Sequence, residues 1–183
     1  DVSEPFITVT DIVFDDADGN GNGLPDYSEP VNLRITVKNI GKAHTSKLTA
    51  RLSIVSGMIT LEADTASIGV LLPGQTRTIN GKFIFRVSDS VEDGELAALL
   101  LSIKGGSEEY RYGIDMTLNA PELKIISAIH DDSQLGNSNF LPDAGEKLHL
   151  RVRVKNDGSA AATGVVKITN TGSLLTVLQP ELT

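Results

Sequence analysis

Two parts of the chain carry the same sequence pattern, and this internal repeat limits the possible folds more than any other feature. EPFITVTDIVFDD (residues 4–16) matches APELKIISAIHDD (120–132) in its proline, its alternating apolar residues and its paired aspartates. LPDYSEPVNLRITVKNIG (24–41) matches LPDAGEKLHLRVRVKNDG (141–158) without a gap. Self-similarity of this kind indicates modules that are built on one plan.

The spacing of the matches defines the two modules. Pro121 follows Pro5 by 116 residues, whereas the later matching segments are offset by 117, so the loop of the second copy is one residue longer. We therefore predict one module over residues 1–120 and a second over residues 121–183.

Each copy alternates apolar and polar residues in its clearest strand. This period of two is typical of a strand in an antiparallel sheet with one buried face and one solvated face. Asn39-Ile40-Gly41 and Asn156-Asp157-Gly158 follow these strands; they contain residues that tolerate positive φ, and we expect the strands to end in turns there. The predicted inward-facing residues are Val31, Leu33, Ile35 and Val37 in the first copy, and Leu148, Leu150, Val152 and Val154 in the second.

The rest of the first copy predicts further short strands and no helix longer than one turn. Breaks rich in Gly, Pro and Ser recur about every 8–12 residues, which indicates an all-β fold of tandem immunoglobulin-like antiparallel β-sandwiches. The chain has no Cys and no Trp, so the buried Cys and Trp cluster of antibody domains is missing. The additional predicted strands are 47–54, 58–62, 76–87, 95–104 and 109–118.

The Gly/Asn-rich loop followed by LPDAGE and LHLRVRVKNDGSAAATGV resembles bacterial immunoglobulin-like adhesion modules of the CARDB type. The pattern is similar to the sandwich repeats that accompany gingipain-like cysteine peptidases and other secreted bacterial proteins. The resemblance implies a non-catalytic module of a secreted or cell-surface protein, used for spacing or cell adhesion. Its expected partners are other domains of the same polypeptide, such as a peptidase, and protein or glycan ligands.

The first copy contains an acidic loop, DDADGNGNGLPDYSE over residues 15–29, which predicts a structural calcium site. From Asp18 onward it fits the twelve-residue calcium pattern D-x-[DN]-x-[DN]-G-x5-E, in which Gly23 permits the sharp turn and Glu29 binds bidentately. It also resembles the calcium loops of thrombospondin type 3-like repeats. The predicted metal site comprises Asp16, Asp18, Asn20, Asn22, the backbone carbonyl of Leu24, Asp26 and Glu29.

Turn chemistry alone is a second interpretation of this loop, because Asn and Gly are also preferred in polar connections. In the second copy, the segment from Asp131 to Glu146 keeps two asparagines and Asp143, but Leu135 and Phe140 depart from the calcium pattern. We expect any metal site in the second copy to be built differently from the first.

Composition and motifs argue against several other functions. The net charge of −8 at pH 7 disfavours a nucleic-acid surface, which needs a basic face. The absence of cysteine excludes thiolate zinc sites and cysteine nucleophiles, and the apolar run 96–103 is too short to span a membrane. His44, His130 and His149 are scattered, and no nucleophile, base and orienting group can be assembled. We therefore predict that the chain is not an enzyme.

Carbohydrate binding is the alternative function, since β-sandwiches often carry glycan sites. Such sites usually need exposed aromatic platforms. The only tyrosines are Tyr27, Tyr110 and Tyr112, and there is no Trp, which argues against this alternative.

The second copy is expected to be incomplete within this chain. It has counterparts of the early strands, with LLTVL (174–178) matching MITLE (58–62), and then ends. Its apolar strand face would then lack the sheet that covers it in a full sandwich. The missing strands could come from a second molecule in a homodimer, from packing against the first module, or from sequence beyond Thr183.

Overall fold

The structure is a computed structural model that describes residues 4–178 and 181–182. Residues 1–3, 179–180 and 183, which belong to the two predicted modules, lie outside the described residues. The chain divides into two compact units, one formed by Asp1–Glu122 with Gly158–Ala160, the other by Leu123–Asp157 with Ala161–Thr183.

The described part of the first unit contains nine strands in two sheets. In chain order they are β1 (Ile7–Asp15), β2 (Pro30–Asn39), β3 (Leu48–Ser56), β4 (Ile59–Ala63), β5 (Thr65–Gly69), β6 (Thr76–Ile79), β7 (Ile84–Val87), β8 (Leu96–Gly105) and β9 (Glu108–Thr117).

One sheet has five strands and the other has four. In the five-stranded sheet, β2 pairs with β1 along one edge and with β6 and β7 along the other, and β4 pairs with β7. The four-stranded sheet has the order β5-β3-β8-β9. Every one of these strand pairs is antiparallel and no described residue is helical, which confirms the predicted all-β fold class. None of the described residues forms a helix of the length and hydropathy needed to cross a membrane.

The apolar core lies between the two sheets, so the first unit is a two-layer sandwich. The four predicted inward residues of β2 are all fully buried. β8 supplies the opposing layer with alternate residues, including Leu99, Leu101 and Ile103, and Phe83 and Phe85 fill the space between. Each such large side chain stabilises the fold by about 1.5–3 kcal/mol relative to an exposed position.

Two details of the strand prediction were wrong. β5 was missed because its sequence, TASIG, is only five residues long. Only two of these residues, Ala66 and Ile68, are buried, and two alternating positions are too few to predict a strand. The segment 76–87 was predicted as one strand, but it forms β6 and β7 with a break at Asn80-Gly81-Lys82-Phe83, and Gly81 has a φ of 65°.

β2 ends at Asn39, and the glycine that follows it is needed for a reason other than positive φ. Gly41 does not have positive φ. A side chain there is excluded by close packing, because a Cβ would lie 2.3 Å from the carbonyl oxygen of Glu4 and 2.4 Å from the amide nitrogen of Phe6. The corresponding Gly158 makes the same close approach, with a Cβ position 2.2 Å from the carbonyl oxygen of Ala120. The glycine of this motif therefore lets the turn lie against the segment that leads into the first strand of each copy.

Two tyrosine hydroxyls of β9 connect the four-stranded sheet to the chain around β1. The Tyr110 hydroxyl donates a hydrogen bond to the carbonyl oxygen of Pro5 at 3.0 Å, and the Tyr112 hydroxyl donates to that of Ile7. The Phe6 ring packs edge-on against Tyr110 with 5.8 Å between ring centroids. Burial, more than any other cause, raises the pKa of Tyr110 to about 12. Both rings are half-buried and pack against the core, so these contacts join the two sheets along one edge.

In the second unit, a strand pair repeats that of β1 and β2. β10 (Leu123–Asp131) pairs antiparallel with β11 (His149–Asn156), in the register of the first unit shifted by the repeat offset. A β-bulge interrupts both pairings at the same place, between Val9 and Asp11 in the first unit and between Ile125 and Ser127 in the second. The sequence repeat is thus also a repeat of backbone structure.

The remainder of the second unit differs from the prediction. Residues 174–178 were expected to match β4, but they form no strand, and Leu174 is 96% exposed. β4 is held by β7 in the first unit, whereas no described strand of the second unit offers residues 174–178 a ladder of hydrogen bonds. The short strands β12 (Val166–Lys167) and β13 (Glu181–Leu182) pair with each other instead.

The apolar face of β11 is open in the second unit. Leu150 and Val154 are 44% and 43% exposed, whereas their first-unit counterparts Leu33 and Val37 are fully buried. The difference follows from the layers, because the described second unit contains no four-stranded sheet opposite this face.

We expect Tyr112→Phe to lower the free energy of unfolding by about 0.5–1.5 kcal/mol, because the Ile7 carbonyl loses its hydrogen bond from the hydroxyl. Urea denaturation measures this change. Tyr27→Phe is the matched control, since the Tyr27 hydroxyl makes no hydrogen bond to any described residue, and its effect should stay within about 0.5 kcal/mol. Equal losses in the two variants would contradict the proposed role of the Tyr112 hydroxyl.

Candidate metal centre in the acidic loop

The acidic loop connects β1 to β2 and contains three buried carboxylates. Asp16, Asp26 and Glu29 are 3%, 1% and 7% exposed. Carboxylates are seldom buried unless they are hydrogen-bonded, paired with a cation or bound to a metal. The partners of these three side chains therefore determine what the loop can do.

Two of the carboxylates hold the loop backbone in place. Asp16 accepts hydrogen bonds from the amide nitrogens of Asn22 and Gly23, each at 2.9 Å. Glu29 accepts from the amide nitrogens of Asn20, at 3.2 Å, and Asp26, at 3.0 Å. These four bonds satisfy backbone groups that have no strand partner, so the two side chains fix the path of the loop.

The two asparagines are oriented toward Asp26 by their amide groups. The side-chain nitrogens of Asn20 and Asn22 both donate to Oδ2 of Asp26, at 2.8 Å for Asn22. Their side-chain oxygens accept from backbone N–H groups two residues ahead, at 3.0 Å for Asn20 and 2.7 Å for Asn22. The two oxygens hold the loop backbone in this arrangement, and their role as metal ligands stays a prediction.

Glycine is required where the backbone passes the Glu29 carboxylate. A Cβ on Gly19 would lie 2.3 Å from Oε2 of Glu29, which is far too close for a side chain. Three other positions, Gly21, Gly23 and Ser28, have positive φ between 64° and 80°. The Gly- and Asn-rich composition is thus explained in detail by the loop conformation.

The electrostatics of the loop leave one group uncompensated. Oδ1 of Asp26 is buried and has no hydrogen-bond partner among the described residues. No ion pair between described residues includes Asp16, Asp26 or Glu29. Burial raises the pKa of Glu29, and the charges of Asp26 and Asp16 raise it further, against the lowering effect of its two backbone hydrogen bonds. The loop therefore concentrates negative charge without a neutralising partner.

The donor set fits a hard divalent cation in part. Carboxylate oxygens are the preferred ligands of Ca²⁺, and Asp26 offers an unused one in a buried position. Asp16 and Glu29 are the neighbouring carboxylates that would share such an ion with it. Asp18 is exposed, and no hydrogen bond between described residues links it to the network. Among the described residues, no three acidic or histidine side chains already converge as a formed metal site.

The loop also lies at the end of the sandwich where the chain leaves the first module. The amide of Tyr27 donates to the carbonyl oxygen of Asn119 at 2.8 Å, and the amide of Asn119 donates to that of Pro25 at 3.0 Å. An isolated parallel bridge joins Asp26 to Asn119. The carboxylate network and the last residues of the module are therefore mechanically connected.

The other candidate residues have no site around them. His44, His130 and His149 are all exposed, and the nearest described partner of a histidine ring is the carbonyl oxygen of Phe140, 3.0 Å from Nε2 of His130. Tyr27, like the two tyrosines of β9, is half-buried against the core. No exposed aromatic platform is therefore formed by the three tyrosines.

The equivalence of the second loop was missed in the sequence. We expected a site there to be built differently, but Asn137 and Asn139 bind Asp143, and Glu146 binds the backbone, as their counterparts do in the first loop. The calcium pattern starts at Asp18, whose counterpart in the second loop is the apolar Leu135. Starting from the Asp16 and Asp132 match would have revealed the equivalence.

Comparisons with known proteins define no family for this chain. No protein-family model matches it, and no curated protein matches it. Similar solved structures include the CARDB domain of a Pyrococcus furiosus protein in complex with di-metal ions, at 16% identity and a TM-score of 0.40, covering 62% of this chain and 88% of that domain.

Two further structures are similar at comparable levels. Native E. coli alpha-2-macroglobulin is 13% identical with a TM-score of 0.45, over 69% of this chain and 8% of that protein. A conjugative transposon lipoprotein from Bacteroides eggerthii is 14% identical with a TM-score of 0.32, over 60% of this chain and 93% of the lipoprotein. At these identities and TM-scores, the ligands and activities of the neighbours do not transfer to this chain. The association with gingipain-like peptidases stays a prediction.

The raised pKa of Glu29 predicts a specific pH dependence of stability in the absence of divalent cations. The Glu29 carboxyl binds its proton more tightly in the folded chain than in the unfolded chain, where its pKa is near 4.5. The resulting stabilisation is present below about pH 4.5 and is lost as the pH rises through the folded pKa. We therefore expect Glu29→Gln to remove a stabilisation that wild type gains as the pH falls from neutral toward about 5.

Chemical denaturation in chelator at several pH values measures this difference, and the readout is the slope against pH rather than the absolute stability. Four other carboxyls have lowered pKa values, so the stability that they contribute is lost only at more acidic pH. They contribute equally in wild type and in Glu29→Gln. These carboxyls belong to Asp93, Glu109, Asp131 and Asp157. Parallel curves for wild type and variant would show that Glu29 does not titrate in this way.

Proposed function

We propose that the chain is a non-catalytic β-sandwich region of a secreted or cell-surface bacterial protein, which acts as a spacer or adhesion module beside a peptidase or another domain. The observation that carries the proposal is the acidic loop, in which a buried and uncompensated carboxylate network is bound to the end of the first sandwich.

Calcium is the cation that this loop fits best. Ca²⁺ prefers several oxygen ligands in a flexible arrangement, whereas Mg²⁺ demands a small octahedral site and retains its water. Asp26 would bind through its unpartnered Oδ1, with Asp16 and Glu29 supplying further carboxylate oxygen. Extracellular modules bind calcium with dissociation constants of about 10⁻⁴ to 10⁻³ M, which agrees with a site of few charged ligands and a secreted location.

The role of the ion would be mechanical. Asp26 and Pro25 lie against Asn119, two residues before the predicted start of the second module. A cation that neutralises the carboxylates would stabilise both the connection from β1 to β2 and the segment where the chain leaves the sandwich. A spacer module needs this point to be stiff, because a partner domain is held at a defined distance only if the exit does not unfold.

Carbohydrate binding is supported less well. The Tyr110 and Tyr112 hydroxyls are used in hydrogen bonds to backbone carbonyls, and the rings of all three tyrosines pack against the core. These contacts leave no stacking surface of the kind that sugar-binding modules usually present.

We expect wild-type protein to bind Ca²⁺ weakly and to be stabilised by it. Binding to the folded state alone adds about 1.4 kcal/mol to the free energy of unfolding when free calcium is ten times the dissociation constant. Calorimetric titration and melting curves in calcium and in chelator measure the two effects. The same melting point in calcium and in chelator, together with no heat of calcium binding, would contradict the proposed role of calcium.

Two variants with the same change of charge locate the first calcium ion. Asp26→Asn should abolish binding in the first loop, because it removes the charge of the carboxylate with the unpartnered oxygen. Asp18→Asn is the matched control in the same loop and should leave binding unchanged, since Asp18 is exposed and outside the network. Loss of binding in Asp18→Asn, with binding retained in Asp26→Asn, would instead support the original twelve-residue pattern.

We also propose that the open face of β11 is covered by a second copy of the chain when this polypeptide is alone in solution. The half-exposed Leu150 and Val154 support this proposal, because their counterparts in the first unit are fully buried in a sandwich. Large exposed apolar patches mark interaction sites on proteins.

Sedimentation at about micromolar concentration should then show a dimer. Val154→Glu should give a monomer, because it places a charge in the apolar contact. Arg153→Glu, on the opposite face of the same strand, is the control that should remain dimeric. A folded wild-type monomer at this concentration would contradict the homodimer.

A further inference from the structure

The second loop, from Asp132 to Glu146, is one residue longer than the first but matches it position by position from Gly136 onward, and we propose that it binds its own divalent cation, so that the chain takes two. The choice of calcium rests on the proposed function of the first loop.

The backbone of the second loop has the same unusual conformation as the first. Three positions have positive φ in each loop, and they coincide when the offset of 117 residues is applied. Two of the three are not glycine in the second loop, although side chains with a Cβ seldom adopt this conformation. The corresponding residues are Gly21 and Ser138, Gly23 and Phe140, and Ser28 and Gly145. Contacts within the loop, rather than local preference, therefore determine its path.

The hydrogen bonds of Glu146 and Asp143 match those of their counterparts Glu29 and Asp26, whereas Asp132 accepts one backbone amide bond where Asp16 accepts two. Glu146 accepts from the amide nitrogens of Asn137, at 2.7 Å, and Asp143, at 3.0 Å. Oδ2 of Asp143 accepts from the side-chain nitrogens of Asn137 and Asn139, at 2.7 and 2.8 Å. Gly136 passes the Glu146 carboxylate as Gly19 passes that of Glu29, since a Cβ would lie 2.1 Å from Oε1.

Asp132 is the observation that points to a ligand. Its side chain is fully buried, and Oδ2 accepts a hydrogen bond from the amide nitrogen of Phe140 at 2.9 Å. Oδ1 has no hydrogen-bond partner among the described residues, and no ion pair between described residues includes Asp132. A buried carboxylate with one unused oxygen carries a charge that needs a cation, because removal from water is otherwise unfavourable.

The geometry brings Asp132 and Glu146 to the same place. The Cβ position of Gly136 is 2.9 Å from Cβ of Asp132 and 2.1 Å from Oε1 of Glu146, so the two acidic side chains pack against the same glycine. The loop contains no Lys or Arg between Asp131 and Glu146. Asp131 is not part of this group, since it pairs with Arg151 and accepts from Ser133.

The two loops differ in exposure, and this difference predicts their order of affinity. Asp143 is exposed, whereas its counterpart Asp26 is buried. Water competes more effectively for an exposed carboxylate and screens its charge. The second site should therefore be the weaker of the two.

The test is the number of calcium ions bound by the complete 183-residue chain, measured by equilibrium dialysis with elemental analysis and by calorimetric titration. Wild type should bind two. Asp132→Asn keeps an oxygen that can accept from the Phe140 amide but removes the charge, and it should bind one. Asp131→Asn, the adjacent residue with the same change of charge, should still bind two. Asp26→Asn should bind one, and the variant with both Asp26→Asn and Asp132→Asn should bind none.

A second variant protects the test against misfolding. Gly136→Ala leaves every charge in place but puts a methyl group where the Glu146 carboxylate lies, and it should also bind one ion. Circular dichroism of each variant checks that the β structure is retained. If Asp132→Asn does not fold, the result with Gly136→Ala decides.

The possible results separate the two loops. One ion in wild type, lost in Asp26→Asn and kept in Asp132→Asn, would overturn the second site and leave the first intact. One ion, lost in Asp132→Asn and kept in Asp26→Asn, would support the second site and overturn the first. No bound calcium in wild type would overturn both.

Discussion

A buried carboxylate has to be satisfied, and this constraint shapes the connection between the first two strands in both copies. In the first loop, Asp16 and Glu29 accept four hydrogen bonds from backbone amides. In the second loop, Asp132 and Glu146 accept three. These bonds replace the ladder that a strand would provide. They explain why a long Gly- and Asn-rich loop has a single path, and why unused carboxylate oxygens remain inside it.

The repeated unit is therefore more than an apolar pattern. It consists of a strand, a loop whose backbone is held by hydrogen bonds to carboxylates, and a second strand. The register of β1 with β2, its bulge, the loop and the glycine after β2 all recur with β10 and β11. In the first unit this element is completed by a second sheet that buries its apolar face. In the second unit the same face is open. The element thus keeps its conformation in two different packing environments, which indicates that its own contacts specify it.

Much of this fold could be predicted from the alternation of apolar residues. The face of β2 was identified correctly because Val31, Leu33, Ile35 and Val37 are large and strictly spaced. β5 escaped prediction because TASIG buries only Ala66 and Ile68. In the loop, the acidic residues were recognised, but the hydrogen bonds of the two asparagines were not, since an Asn side chain can present either its oxygen or its nitrogen and only the folded backbone decides. Asn20 and Asn22 donate hydrogen bonds from their side-chain nitrogens to Asp26. The equivalence of the two loops, in which Asp16 corresponds to Asp132, was missed because the calcium pattern starts at Asp18 instead.

The central claim is that carboxylates hold the loop backbone and that a cation completes their network. Amide hydrogen exchange of the first loop, followed by NMR, tests it most directly. The account predicts that the amides of Asn20, Asn22, Gly23 and Asp26 are protected in chelator and exchange more slowly still in calcium, while the exposed Asp18 amide is unaffected. Exchange of these four amides at the rate of an unstructured loop, with no change on adding calcium, would contradict the account.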